Sequence, residues 1–151
     1  MVEIRFVPAT EEHARALAAD MRHEEVRELA LMRVKPLDGL LESMANADFS
    51  FAVLFDGKVG YIFGGEILNA MGNVGLAWGL GGNVCNRYPV SFYKFSRKAI
   101  EIFLDVCPHW YNYCDADYAK SLNWLRRLGF EIGGTQRIAD GLFRRIDIYR
   151  R

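Results

Sequence analysis

Between Leu80 and Phe92 the chain reads Gly81-Gly82-Asn83-Val84-Cys85-Asn86-Arg87-Tyr88-Pro89-Val90-Ser91. Paired glycines let a backbone approach a phosphate closely, and an arginine a few residues on can pair with one. The glycines come early relative to a helix opening at Pro89, and proline removes one amide donor from that helix start. A plain strand-to-helix connection is therefore the competing reading. Three carboxylates, Glu66, Asp115 and Asp117, stand near strand ends, where Asp115 and Asp117 read more readily as loop or N-cap acids than as bases. Cys85, Cys107 and Cys114 form no CxxC pattern, and His13, His23 and His109 lack zinc spacing, so no metal site is predicted. Ser91 and Ser96 lack the Gly-x-Ser-x-Gly context of an activated serine.

Those residues must be positioned by a chain of 151 residues, long enough for one domain over 1–151 with its own core. At 51% hydrophobic and 25% charged the composition is that of an ordinary globular protein. No apolar run approaches a membrane span. The opening Met-Val-Glu-Ile-Arg-Phe is not a signal peptide, and an odd cysteine set without a disulfide framework predicts a reducing, cytoplasmic setting. Net charge is zero, but residues 1–86 carry 7 Lys/Arg against 12 Asp/Glu and residues 87–151 carry 12 against 7. An acidic helical face beside a basic sheet explains this, as does a basic half that meets a polyanion. Zero net charge argues against a dedicated nucleic-acid binder.

Val2 to Val7 alternates as a strand, ended by Pro8, and Thr10 caps a helix whose Ala14, Leu17, Ala18 and Met21 share one face. A second helix from Glu24 to Met32 points Val26, Leu29 and Ala30 inward, and Pro36 opens a third carrying Leu40, Leu41 and Met44. The period then changes. Phe49–Phe55 and Lys58–Ile67 are strands joined at Asp56-Gly57, with Gly64-Gly65 weakening the second, and another strand runs from Val74 to Leu80. Pro89 opens a long helix to Cys107 with Phe92, Phe95, Ala99, Phe103 and Val106 on one stripe. Trp110–Cys114 is a strand, Tyr118–Leu128 a helix closed by Gly129, and Glu131–Ile138 and Leu142–Tyr149 are strands about Asp140-Gly141. A helix between the Val74 and Trp110 strands predicts a parallel crossover, and thus an α/β fold: a mixed, mostly antiparallel sheet with helices on both faces.

This order, with Ser121-Leu122-Asn123-Trp124-Leu125-Arg126-Arg127-Leu128-Gly129-Phe130-Glu131 near its end, resembles the GNAT (acetyltransferase-like) superfamily. A closer likeness is to a small phage family related to the internal virion protein A of T7-like phages. Asp115, Ser121, the Trp124–Phe130 run and the N-terminal Arg5-x-x-Pro8-Ala9-Thr10-x-Glu12-His13-Ala14 match its pattern.

The resemblance implies an acyl-CoA-dependent N-acyltransferase that uses acetyl-CoA and an unidentified amine acceptor. The alternative it implies is a non-catalytic GNAT-fold phage protein that acts in virion assembly or on a host partner. By the resemblance, acetyl-CoA enters where the Val74 and Trp110 strands splay. Its stem pairs with the Ala77–Leu80 backbone, Trp78 and Leu80 included, and its phosphates rest on Gly81, Gly82, Asn83 and Arg87. Tyr118 occupies a position where many active members have Asn. Leu125 takes the place of a Tyr that protonates the departing thiolate, and Leu has no proton to give. Asp115, with Glu66 as a second choice, is the candidate base, and Ser121 is placed to face the thiol. The Leu142–Tyr149 strand, with Arg144, Arg145, Arg150 and Arg151 at that end of the chain, is a candidate sheet edge for a homodimer or a partner.

Overall fold

A computed structural model describes residues 1–151. The strands are β1 (Ile4–Pro8), β2 (Phe49–Phe55), β3 (Lys58–Ile67), β4 (Gly75–Gly81), β5 (His109–Asp115), β6 (Glu131–Ile138) and β7 (Gly141–Tyr149). The helices are α1 (Glu11–Ala19), α2 (His23–Leu31), α3 (Pro36–Asn46), α4 (Pro89–Val106) and α5 (Ala119–Arg127), with a short 3-10 turn at Asn83–Arg87 ahead of α4. No helix is long and apolar enough to cross a membrane.

Local chemistry explains most boundaries. The Thr10 hydroxyl accepts from the His13 amide at 3.2 Å, and the His13 ring accepts from the Thr10 amide at 3.1 Å, which closes two of the open donors at the start of α1. Asp56 and Gly57 both adopt positive φ, the geometry of a two-residue hairpin whose twist matches its strands. Gly129 (φ 106) stops α5 so that Phe130 can enter the core. Ala30 is exposed; the inward stripe of α2 runs through Glu25 and Leu29.

The seven strands form one sheet in the order β1-β2-β3-β4-β5-β7-β6, antiparallel throughout except between β4 and β5. β7 pairs with β5 on one side and β6 on the other, so the Leu142–Tyr149 strand is interior and cannot serve as a free edge. The hairpin around Ala139-Asp140 causes this by folding β6 back along β7 and placing it outermost. Residue alternation sends Val53 and Phe63 to a core under α4 and α5, and Ala52 and Ile62 to a second core under α1, α2 and α3.

Gly64 and Gly65 do not end β3. A Cβ on Gly64 would overlap Trp78, and one on Gly65 would sit against the Trp110 ring. Trp110 is fully buried, donates to the Phe103 carbonyl at 2.6 Å and the Cys107 carbonyl at 3.0 Å, and also lies over Gly75. A methyl on Gly75 would collide with that ring at one of the two positions where β4 meets β5. Gly75→Ala is expected to cost about 1–3 kcal/mol, read as a lower urea midpoint at unchanged slope.

Candidate functional site

β4 and β5 pair only at Gly75–Trp110 and Leu76–Tyr111. One step further the Asn112 side chain bridges them, donating to the Ala77 carbonyl at 2.6 Å. Beyond that rung the sheet is open. In an antiparallel strand, alternate residues aim both backbone groups at the same neighbour. The carbonyl of Ala77 is taken by Asn112, and that of Gly81 accepts from the Arg22 amide at 3.0 Å, so Gly79 is the residue of β4 whose backbone groups open onto the gap.

The gap is a cavity with mainly apolar and aromatic walls, capped by Arg22, Glu25 and Glu28 from the start and body of α2. Arg22 and Glu25 are 7% and 5% exposed and form a bidentate pair, the guanidinium Nε donating to both carboxylate oxygens at 3.1 and 3.0 Å. Burial works against the charge of Arg22, yet Glu25 alongside holds its pKa above the usual arginine value. Glu28 has no basic partner. Burial pushes its carboxyl up to about 7, partly offset by the Asp115 amide that donates to it at 2.8 Å, while the charges of Glu25 and Asp115 push it further up. The Cys114 thiol lies beside Glu28 and Ser121, and burial lifts it to about 12, so it is a neutral wall group. Trp78 and Trp124 each hold a buried indole N–H with no acceptor, and both line the cavity.

A second cavity lies between the first turn of α4 and α5. It shares Arg22, Tyr118, Ser121 and Trp124 with the first, so the two adjoin.

Solved structures match this fold over nearly the whole chain. The aminoglycoside acetyltransferase AAC(6')-Ib in complex with coenzyme A matches with a TM-score of 0.72 at 13% identity, over 98% of this chain and 95% of that one. The microcin C7 self-immunity acetyltransferase MccE, solved with acetyl-CoA and AMP, matches with a TM-score of 0.68 at 13% identity, over 98% and 93%. A ribosomal-protein-alanine N-acetyltransferase from Brucella melitensis matches with a TM-score of 0.70 at 14% identity, over 97% and 99%. The fold is the GNAT fold. No protein-family model matches the sequence, and the search of curated proteins returned no significant match.

Within the GNAT fold, the sequence-predicted residues divide into those that reach the cavities and those that do not. Ser121 and Tyr118 line both cavities, and Trp78 lines the first. Trp78 and Leu80 aim their backbone groups at β3, so neither strand position can pair with a guest; Gly79 between them can.

The glycine loop is closed. The Gly82 amide donates to the Gly60 carbonyl at 2.8 Å and the Asn83 amide to the Asp20 carbonyl at 3.0 Å. Met21 bridges Gly82, so the link between α1 and α2 runs along the end of β4 as a short extra strand. A side chain on Gly81 would meet Arg22, and one on Gly82 would meet Leu17 and the Asp20 carbonyl. These glycines are required by the packing of that link, and the Gly82 and Asn83 amides are not free for a phosphate. Arg87 is exposed at the end of the 3-10 turn and lines neither cavity.

Asp115 is buried and committed. It accepts from Arg27 Nε at 3.1 Å and from the Asp117 amide at 3.0 Å. Asp117 pairs with the same arginine at 3.2 Å. Glu66 projects to the face of the sheet opposite Gly65 and Trp110 and lines neither cavity. Leu125 is buried in the cavity wall. Sequence reasoning missed Glu25 and Glu28, which lie with Leu29 on the inward stripe of α2.

Proposed function

We propose that this chain is an acyl-CoA-dependent N-acyltransferase that moves an acetyl group to an amine acceptor. The observation that supports it most is Glu28, an unpaired carboxyl held near neutrality in the mouth of the split sheet. An ammonium ion cannot attack a carbonyl, and a base with a pKa near the operating pH removes its proton best. Glu25 and Asp115 are tied up by Arg22 and Arg27, which leaves Glu28 as the carboxylate free to take that proton.

The cavities fit the donor. Gly79 offers open backbone groups and the indoles of Trp78 and Trp124 offer unpaired donors, which suits a slender stem rich in amide oxygens. Acetyl-CoA supplies the acyl group already activated as a thioester. Leu125 has no proton to give and burial makes the Cys114 thiol a weak acid, so neither of these two protonates the departing thiolate.

The first test is thermal unfolding with millimolar acetyl-CoA, with ATP as control. Ligand at about 100 times its Kd adds about 2.7 kcal/mol, a shift of several degrees at this size. A shift with acetyl-CoA but not ATP supports the reading and justifies an acceptor screen by thiol release. No shift would overturn it and turn the search to protein partners.

A further inference from the structure

We infer that the diphosphate of the acyl donor is held by Lys120 and Arg127 of α5, and not by the glycine loop. This assignment rests on the donor reading above. Lys120, Asn123, Trp124 and Arg127 fall at i, i+3, i+4 and i+7, a single stripe of α5, and all four line the second cavity. That cavity contains no aspartate or glutamate. None of the ion pairs in the molecule includes Lys120 or Arg127; Arg127 instead packs its guanidinium 5.2 Å from the centre of the Tyr93 ring on α4.

Two cations facing one cleft without a counter-charge repel each other, and an anion between them removes that cost. The opposite wall is the first turn of α4, through Pro89, Phe92 and Tyr93. The cleft also adjoins the split-sheet cavity through Tyr118, Ser121 and Trp124, so one elongated molecule can have its uncharged stem in the first and its phosphates in the second. The Gly82 and Asn83 amides that a sequence reading favours already serve Gly60 and Asp20 and are closed to a phosphate.

The ligand class is thus a nucleotide diphosphate on a flexible neutral stem. The test is calorimetric binding of CoA, and of pantetheine, which has the same stem and no phosphate, to the wild type and to the Lys120→Gln/Arg127→Gln variant. Both residues are exposed, so the variant is expected to keep the wild-type unfolding temperature within a few degrees. CoA affinity is expected to fall by about tenfold or more, with pantetheine affinity unchanged. Lys120→Glu/Arg127→Glu is expected to weaken CoA further, and rising salt to weaken CoA for the wild type more than for either variant. Arg87→Glu is expected to bind CoA as the wild type does. Equal CoA affinity in wild type and both double variants overturns the assignment while leaving the donor reading intact, and loss of CoA binding in Arg87→Glu returns the phosphates to the loop. A wild type that binds neither ligand overturns the donor reading and this assignment with it.

Discussion

Glu28→Gln is expected to lower turnover by about 10²- to 10⁴-fold while making the protein more stable at pH 8. The two effects have one cause. The folded pKa of Glu28 lies near 7, against an ordinary value of 4.5, so the folded protein retains a proton that the unfolded chain has lost. Stability on this account falls as pH rises from about 4.5 to 7 and is level above that, because the raised group favours the folded state only while it is protonated. At pH 8 the ionised carboxylate costs about 2 kcal/mol once partial solvent exposure is allowed for, or roughly 4–8 °C in Tm. Glutamine removes that cost, and the difference between variant and wild type should vanish as pH falls towards 4.5. In the wild type, kcat/KM is expected to climb about tenfold per unit up to a break near pH 7. A merely structural glutamate would show the stability change without that break, and an unchanged pH–rate profile in Glu28→Gln would remove Glu28 from the chemistry.

The second large effect falls on Arg22. Arg22→Ala leaves Glu25 buried with no counter-charge, which typically costs about 3–5 kcal/mol, a major part of the 5–15 kcal/mol that holds a domain folded. The loss should be smaller at pH 5 than at pH 8, since a stranded carboxylate escapes by taking a proton. Replacing both partners, Arg22→Met with Glu25→Leu, should restore most of the stability, because two apolar groups of similar length leave nothing unpaired. A single Arg22→Ala variant that unfolds at the wild-type urea midpoint would mean that the pair is not closed off from water.

Most of the framework was legible because local signals and packing agree there. Asp56-Gly57 accepts positive φ, Pro89 starts a helix, and Gly129-Phe130 turns the chain and buries a ring; each reading needed only neighbouring residues. The site was less legible because its geometry is built by distant segments. The closed state of the glycine loop depends on Met21 and Arg22, some 60 positions earlier in the chain, which no local pattern around Gly81 announces. Glu25 looks like an acid that favours a helix N-terminus, as Glu24 does beside it, and Glu28 looks like an ordinary mid-helix acid. The one available signal was their spacing to Leu29, which puts both on the stripe that turns inward, with Arg22 one turn before. The edge assigned to Leu142–Tyr149 failed for a related reason: hairpin order along the chain does not say which strand of a pair ends up outermost.

The short joint between β4 and β5 has a consequence for how a guest can be received. A sheet normally has two outer margins, here β1 and β6, and exposed margins invite pairing with other chains. By parting after two residues, this sheet acquires two more margins that face each other inside the molecule. They are screened from other polypeptides by α2 above and by the opposite half of the sheet, so the hazard of an open margin is confined. What remains is a slot that accepts only something thin, unbranched and able to hydrogen-bond along its length. The four strands β1–β4 and the three strands β5–β7 each complete their own antiparallel ladders, so admitting such a guest breaks no existing bond. A guest of that kind would add the rungs that the two halves do not make with each other, and its binding would be strand addition carried out in the interior of a folded domain.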